Sequence, residues 1–187
     1  LAIESDFAPD LGLGSSAAVT VATLAALAAF SRRALDRETV FRSARAVIQR
    51  VQGVGSGADA AASVYGGIVA YRMEPLAIRR IAQTHPITVV YSGSKTPTAE
   101  VIRSVEERRA AYAAVFHALY EAMNRISDEA VAAIEQRNWT RAGGLMNLAQ
   151  GLMDSLGVNT PALSDIVHAL RAQPGVLGAK ISGSGLG

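Results

Sequence analysis

The run Pro9-Asp10-Leu11-Gly12-Leu13-Gly14-Ser15-Ser16-Ala17 constrains this chain more than any other segment. Its two glycines allow backbone conformations that a regular strand or helix does not use. Ser15 and Ser16 are N-cap residue types, and Ala17 to Phe30 is apolar apart from Thr20 and Thr23. The pattern predicts a strand over 1–7, a glycine loop, and a helix from Ser15 or Ser16 to about Ala34. That helix is apolar nearly all round, which predicts burial. The apolar stretch Ala17 to Phe30 stops before Arg32-Arg33 and is shorter than the roughly 20 apolar residues that a bilayer span needs.

The chain has 187 residues, enough for one good core or two small domains. Half are hydrophobic and 18% charged, as in a folded globular protein. A second helix is expected over Arg37 to Val51, with Val40, Ala44, Val47 and Ile48 on one face. A short helix follows from Asp59 to Val64, ended by Gly66-Gly67, and a strand over 68–71. The texture changes near 83–86 and divides 1–82 from 83–187. A strand is expected over 87–91, then helix from Ala99 to Gln136 with Val105, Tyr112, Val115, Leu119, Met123 and Ile126 in helical spacing. Leu145, Leu148, Leu152 and Leu156 mark another helix. Thr160-Pro161 starts the last one, with Leu163, Ile166, Val167 and Leu170 inward. A strand over 176–182 is expected to lead into a final glycine loop. Strands and helices without steady alternation point to an α+β fold.

Three glycine loops are candidates for chemistry. Gly12, Leu13, Gly14, Ser15, Ser16 and Ala17 join a strand to a helix N-terminus, where free N–H groups and the helix dipole favour an anion. An ordinary capped loop reads equally well from these residues alone. Gly53-Val54-Gly55-Ser56-Gly57-Ala58-Asp59 carries one acid among small neighbours. A carboxylate there can take a hydroxyl proton, although the residues alone favour a helix cap. Gly183, Ser184 and Gly185 follow the last expected strand and say little alone.

Other chemistries find less support. No Lys stands beside the first glycines, which excludes the Walker A pattern. The dinucleotide pattern fits Gly12, Gly14 and Ala17, but the nearest acid, Asp36, lies between two helical patterns; this dehydrogenase reading is the runner-up. There is no cysteine, and His85, His117 and His168 lack ligand spacing. Neither Gly55-Ser56-Gly57 nor Gly183-Ser184-Gly185 matches a nucleophile elbow. With 18 basic and 16 acidic residues, neither nucleic acid nor a membrane surface is indicated as a partner.

The three loops together resemble those of the GHMP kinases. Residues 9–18 look like the central motif of that superfamily, and 179–187 like its third motif. Gly55 to Asp59 with Tyr65-Gly66-Gly67, Asn147 to Leu152, and Leu156-Gly157-Val158 are most similar to mevalonate kinase. The resemblance implies a two-domain α+β fold, with a ribosomal-S5-domain-2-like N-terminal part at 1–82 and a ferredoxin-like C-terminal part at 83–187. The chain is then expected to be a piece of a longer protein that lacks the family's first motif and is cut at its end. Implied roles are ATP binding by residues 12–17 and 183–185, Mg²⁺ ligation by Ser16 and proton acceptance by Asp59. The substrate would be a small alcohol, mevalonate or a related hydroxy acid; the alternatives are a sugar, homoserine, phosphomevalonate, or a catalytically weak nucleotide-binding relative. A cytoplasmic enzyme of isoprenoid biosynthesis is implied, and its long helices are compatible with a homodimer. Mevalonate kinases also place a Mg²⁺-binding glutamate eleven residues before the aspartate, and that position here is Ile48.

Overall fold

The structure, a computed structural model, describes residues 2–5, 11–53 and 55–186. Pro9, Asp10, Val54, Gly187 and part of the strand expected over 1–7 lie outside the described residues, and residues 2–5 carry no strand. The elements in chain order are α1 (Ser15–Phe30), α2 (Arg37–Gln52), α3 (Ala58–Tyr65), β1 (Ile68–Arg72), β2 (Ala77–Ile81), α4 (Thr98–Ala111), α5 (Ala113–Glu135), α6 (Trp139–Ser155) and α7 (Pro161–Arg171). The chain divides into two compact units, Leu1–Pro86 and Ile87–Gly187.

In the first unit, Asp36 caps α2 by accepting from the Thr39 N–H at 2.8 Å and the Thr39 hydroxyl at 3.0 Å. These hydrogen bonds hold its carboxyl below the usual aspartate value. Asp36 is thus the N-cap of a helix, whereas a dinucleotide site needs its acid at the end of a second strand. Gly53, at φ 72°, ends α2 in the left-handed conformation. Phe41, Ala44, Ala60 and Ala61 form the core, with Val21, Leu24, Ile48 and Tyr71 packed around it. Of the face expected on α2, Val40 and Ala44 are buried and Val47 is exposed.

Helix α1 departs from expectation. It ends at Phe30, and only Ala17 is buried; Phe30 is 89% exposed. The described elements cover one side of the helix, through Val21 and Leu24. An all-apolar sequence carries no record of which side that is. Strand β1 pairs antiparallel with β2 from Ile68↔Ile81 to Arg72↔Ala77. Strand β2 was not expected, because Arg79-Arg80 interrupts its apolar pattern; Ile81 is nonetheless buried and Ile78 packs on the core.

In the second unit, Val101, Phe116, Met153, Leu156, Val158, Leu163 and Ile181 form the main core. The helix expected over 99–136 is two helices, broken at Tyr112 (φ −130°, ψ 46°). The break shifts the helical phase so that Phe116 turns inward with Val101, while Tyr112 and Val115 face solvent. Helix α7 starts as expected, with the Thr160 hydroxyl accepting from the Leu163 N–H at 3.2 Å and Pro161 in the first turn. Leu148 is exposed, unlike its periodic partners Leu145 and Leu156.

Two expected strands are not formed. Residues 87–91 form no strand and are exposed, with no pairing strand for them among the described residues. Residues 176–182 also stay outside any sheet, because their donors are taken by α6. Asn147 Oδ1 accepts from the Ala179 N–H at 3.0 Å, and Gln150 Oε1 from the Ile181 N–H at 2.7 Å. The Arg171 guanidinium donates to the Ala179 carbonyl at 2.9 Å. The same segment runs tight against α6. A Cβ on Gly143 would lie 2.2 Å from the Leu177 carbonyl oxygen, whereas one on Gly144 would meet nothing within 4 Å.

These two glycines should therefore respond oppositely to alanine. Gly143→Ala is expected to destabilise the fold by about 1–3 kcal/mol through overpacking. Gly144→Ala is expected to stabilise α6 by about 0.5–1 kcal/mol through helix propensity. Urea unfolding followed by circular dichroism measures both.

Candidate active site

The loop at 12–17 is built by two left-handed glycines, Gly12 at φ 74° and Gly14 at φ 73°. Gly14 is the N-cap of α1 and supplies no side-chain cap, so N–H groups of the first turn have no acceptor inside the helix. The first turn begins its ladder with Ala18 donating to the Gly14 carbonyl at 3.0 Å. Ala17 is 4% exposed, which anchors the turn, while Leu13 and Ser16 are exposed. The Ser16 hydroxyl oxygen accepts from Gln52 Nε2 at 3.0 Å. Ser16 is thus tied to the end of α2.

Asp59 stands in the first turn of α3. It does not cap that helix through its side chain: the N-cap is Gly57, with no side-chain cap bond, and the Ser56 hydroxyl accepts from the Ala58 N–H at 3.2 Å. The Asp59 carboxylate lies beside the first loop. A Cβ on Gly14 would be 3.5 Å from Asp59 Cγ and 3.8 Å from its Oδ2. The fold therefore brings two of the three sequence candidates, residues 12–17 and Asp59, into one place.

One face of α2 lines this place. Arg45, Ile48 and Gln52 recur at helical spacing, three and four apart. Gln52 touches Ser16, Ile48 Cγ2 would be 3.7 Å from a Cβ on Gly55, and Arg45 Cδ would be 3.1 Å from one on Gly57. Gln52 and Arg45 escaped the reading of the sequence. Both look like solvated polar residues at the rim of an amphipathic helix, and only their spacing from Ile48 signals a shared face.

The third loop belongs to the second unit. Gly183 and Gly185 are left-handed at φ 71° and 84°. Only glycine fits at 185, where a Cβ would meet the Val158 carbonyl oxygen at 2.3 Å. That carbonyl accepts from the Leu186 N–H at 2.8 Å, and the Thr96 hydroxyl donates to the Leu186 carbonyl. Gly183 and Ser184 border a cavity of about 260 Å³, walled mainly by Val105, Tyr120, Leu156 and Val158. Just before the loop, Lys180 Nζ donates to the Ile181 carbonyl at 2.5 Å, and desolvation lowers its pKa.

Among the described residues, no three His, Cys, Asp or Glu side chains gather as a metal site. His117 faces Glu121 at 3.6 Å, and His168 Nδ1 lies 2.8 Å from the Ser164 carbonyl. No helix among the described residues is long and apolar enough to cross a membrane.

Known proteins resemble this chain in sequence and fold. The family model for the GHMP kinases N terminal domain matches residues 1–67, and that for GHMP kinases C terminal matches residues 130–187. The chain belongs to the GHMP kinase family. Mevalonate kinase from Pyrococcus horikoshii is 36% identical over 195 residues, an alignment covering all of this chain and 57% of that protein. The crystal structure of L. major mevalonate kinase in complex with R-mevalonate superposes with a TM-score of 0.77 at 30% identity, covering 97% of this chain and 56% of that one. A Lin0012 protein from Listeria innocua shares the fold, with a TM-score of 0.84 at 23% identity over 95% of this chain and 58% of that one. The chain thus spans little more than half the length of these relatives. The GHMP kinase fold, mixed α+β, is the fold of this chain.

The side-chain amides under the third loop are testable. Gln150 is buried, and Gln150→Leu would leave the Ile181 N–H without its acceptor. The expected cost is about 1–3 kcal/mol, read as a lowered thermal unfolding midpoint.

Proposed function

We propose that this chain is the core of an ATP-dependent kinase that phosphorylates the hydroxyl of a small metabolite, mevalonate or a related hydroxy acid. One observation carries the reading: the Asp59 carboxylate lies against Gly14, within 3.5–3.8 Å of where a Cβ would stand. Phosphoryl transfer needs a proton acceptor close to where the phosphate donor is held, and little covalent chemistry besides. Membership of the GHMP kinases supports the reaction class. The mevalonate kinases of Pyrococcus horikoshii and L. major support the hydroxy-acid substrate.

In this reading, Gly12, Leu13, Gly14, Ser15, Ser16 and Ala17 hold the triphosphate. Their backbone N–H groups and the positive end of α1 face its oxygens. Asp59 takes the substrate hydroxyl proton as that oxygen attacks the terminal phosphorus and the bond to ADP breaks. Gly183, Ser184 and Gly185 keep the ATP-binding role implied by the third motif. The donor set suits Mg²⁺, which favours oxygen ligands: Ser16 Oγ and the Asp59 carboxylate supply them. Gln52 engages one lone pair of the Ser16 hydroxyl and leaves the other for the metal. When bound, the ion neutralises charge on the phosphates. Ile48 would offer it no ligand. The reading carries a cytoplasmic setting and a small-molecule partner, with homodimer formation open to the long helices.

Coupled ADP release by the full-length protein, across mevalonate, phosphomevalonate, homoserine and hexoses, tests the reaction. Turnover is expected with a hydroxy acid, and silence across the panel counts against catalysis. Asp59→Asn should lower kcat by about 10²- to 10⁴-fold while metal-free ATP affinity, measured by calorimetry, stays the same. Survival of turnover would reduce Asp59 to a helix residue. Ser16→Ala should weaken ATP binding in the presence of Mg²⁺ and leave metal-free binding unchanged. Because Ile48 is hydrocarbon, a second reading has its own signature: ATP binding indifferent to Mg²⁺, with no product from any alcohol, marks a nucleotide-binding relative without catalysis.

A further inference from the structure

Gly57, the left-handed N-cap of α3 at φ 91° and ψ 3°, stands two residues before Asp59. It is walled on two sides. A Cβ there would lie 3.1 Å from Arg45 Cδ, 3.3 Å from Arg45 Cγ and 3.1 Å from the Tyr71 hydroxyl oxygen. The Tyr71 hydroxyl donates to the Ser56 carbonyl, on the peptide that leads into Gly57. The Gly57 carbonyl in turn accepts from the Ala61 N–H at 2.9 Å and starts the α3 ladder.

Tyr71 is itself firmly held. It sits opposite Ile78 in the β1–β2 ladder. Its ring stands edge-on to fully buried Phe41, with centroids 6.1 Å apart and planes at 63°. Arg45 meets Gly57 through its methylenes, and its buried Nε has no hydrogen-bond acceptor. A strand and a helix therefore grip one peptide, and the aspartate-bearing helix begins from that peptide.

We propose that Tyr71 is a positioning residue for Asp59: its hydroxyl, backed by the Arg45 stem, fixes the Ser56–Gly57 peptide and so the height at which the carboxylate meets Gly14. The catalytic half of this inference rests on the kinase reading above. Tyr71 acts through the backbone, because its hydroxyl hydrogen is already given to the Ser56 carbonyl. Small displacements matter here, since a misplacement of about 1 Å at a reacting group can cost about 10²-fold in rate.

The test is Tyr71→Phe in the full-length protein, which keeps the ring and its Phe41 contact and removes only the hydroxyl. We expect kcat to fall about tenfold or more, with KM for ATP and for the alcohol within about twofold of wild type. The unfolding midpoint should stay nearly unmoved. Hydrogen exchange gives a readout independent of turnover: the Ala61 amide should exchange about tenfold faster, while the Val40 amide, bonded to Asp36 in α2, keeps its rate. An unchanged kcat in an active wild type, or unchanged exchange at Ala61, overturns the proposal. A wild type that phosphorylates no alcohol, with exchange at Ala61 still responding in the variant, overturns the kinase reading and leaves the grip on α3 standing.

Discussion

The first unit depends on how closely α2 and α3 approach. Ala44 on α2 and Ala60 and Ala61 on α3 are fully buried, and one-carbon side chains let two helix backbones come near. Phe41 fills the remaining space and backs Tyr71. Larger side chains at these positions would push α3 outward. Asp59 would then leave Gly14, and the first glycine loop would lose the acid beside it. The site is a consequence of small residues beneath it as much as of the polar residues on it.

The second unit uses a different device to hold its glycine loop. A strand there would need a neighbour to satisfy its N–H groups. Helix α6 does this work instead, with Asn147 and Gln150 one turn apart accepting from alternate residues of the 179–181 segment. The loop after the segment is then set by hydrogen bonds of the main chain at Val158 and Leu186.

Much of this was readable from the chain. Helices α2 and α6 follow their apolar spacing, α3 its stop at Gly66-Gly67 and α7 its start at Thr160-Pro161, whereas the caps Asp36 and Asn138 show only in the structure. The glycine loops and Asp59 were also visible, since left-handed turns need glycine and a single acid stands out among alanines. What escaped depends on tertiary partners. The apolar runs at 87–91 and 176–182 have strand composition, but strands exist only where something pairs with them. The burial of α1 could not be read from a helix that is apolar on every side. Tyr112 breaks a helical pattern with no proline or glycine to announce it. Gln52 and Tyr71 matter through a single hydrogen bond each, across 36 and 15 residues of sequence, and no local pattern encodes such contacts.

The tight crossing of α6 and the 177–178 backbone has a consequence for how this fold can drift. A Cβ on Gly143 would strike the Leu177 carbonyl, and one on Gly178 would strike the Gly143 carbonyl at 2.1 Å. Each obstacle is main chain, which no substitution removes. A side-chain clash can be relieved by shrinking the neighbour, so such pairs exchange bulk over generations. This pair has no such exchange open to it. Variation must come from moving the helix as a whole, and that would carry Asn147, Gln150 and the glycine loop along with it.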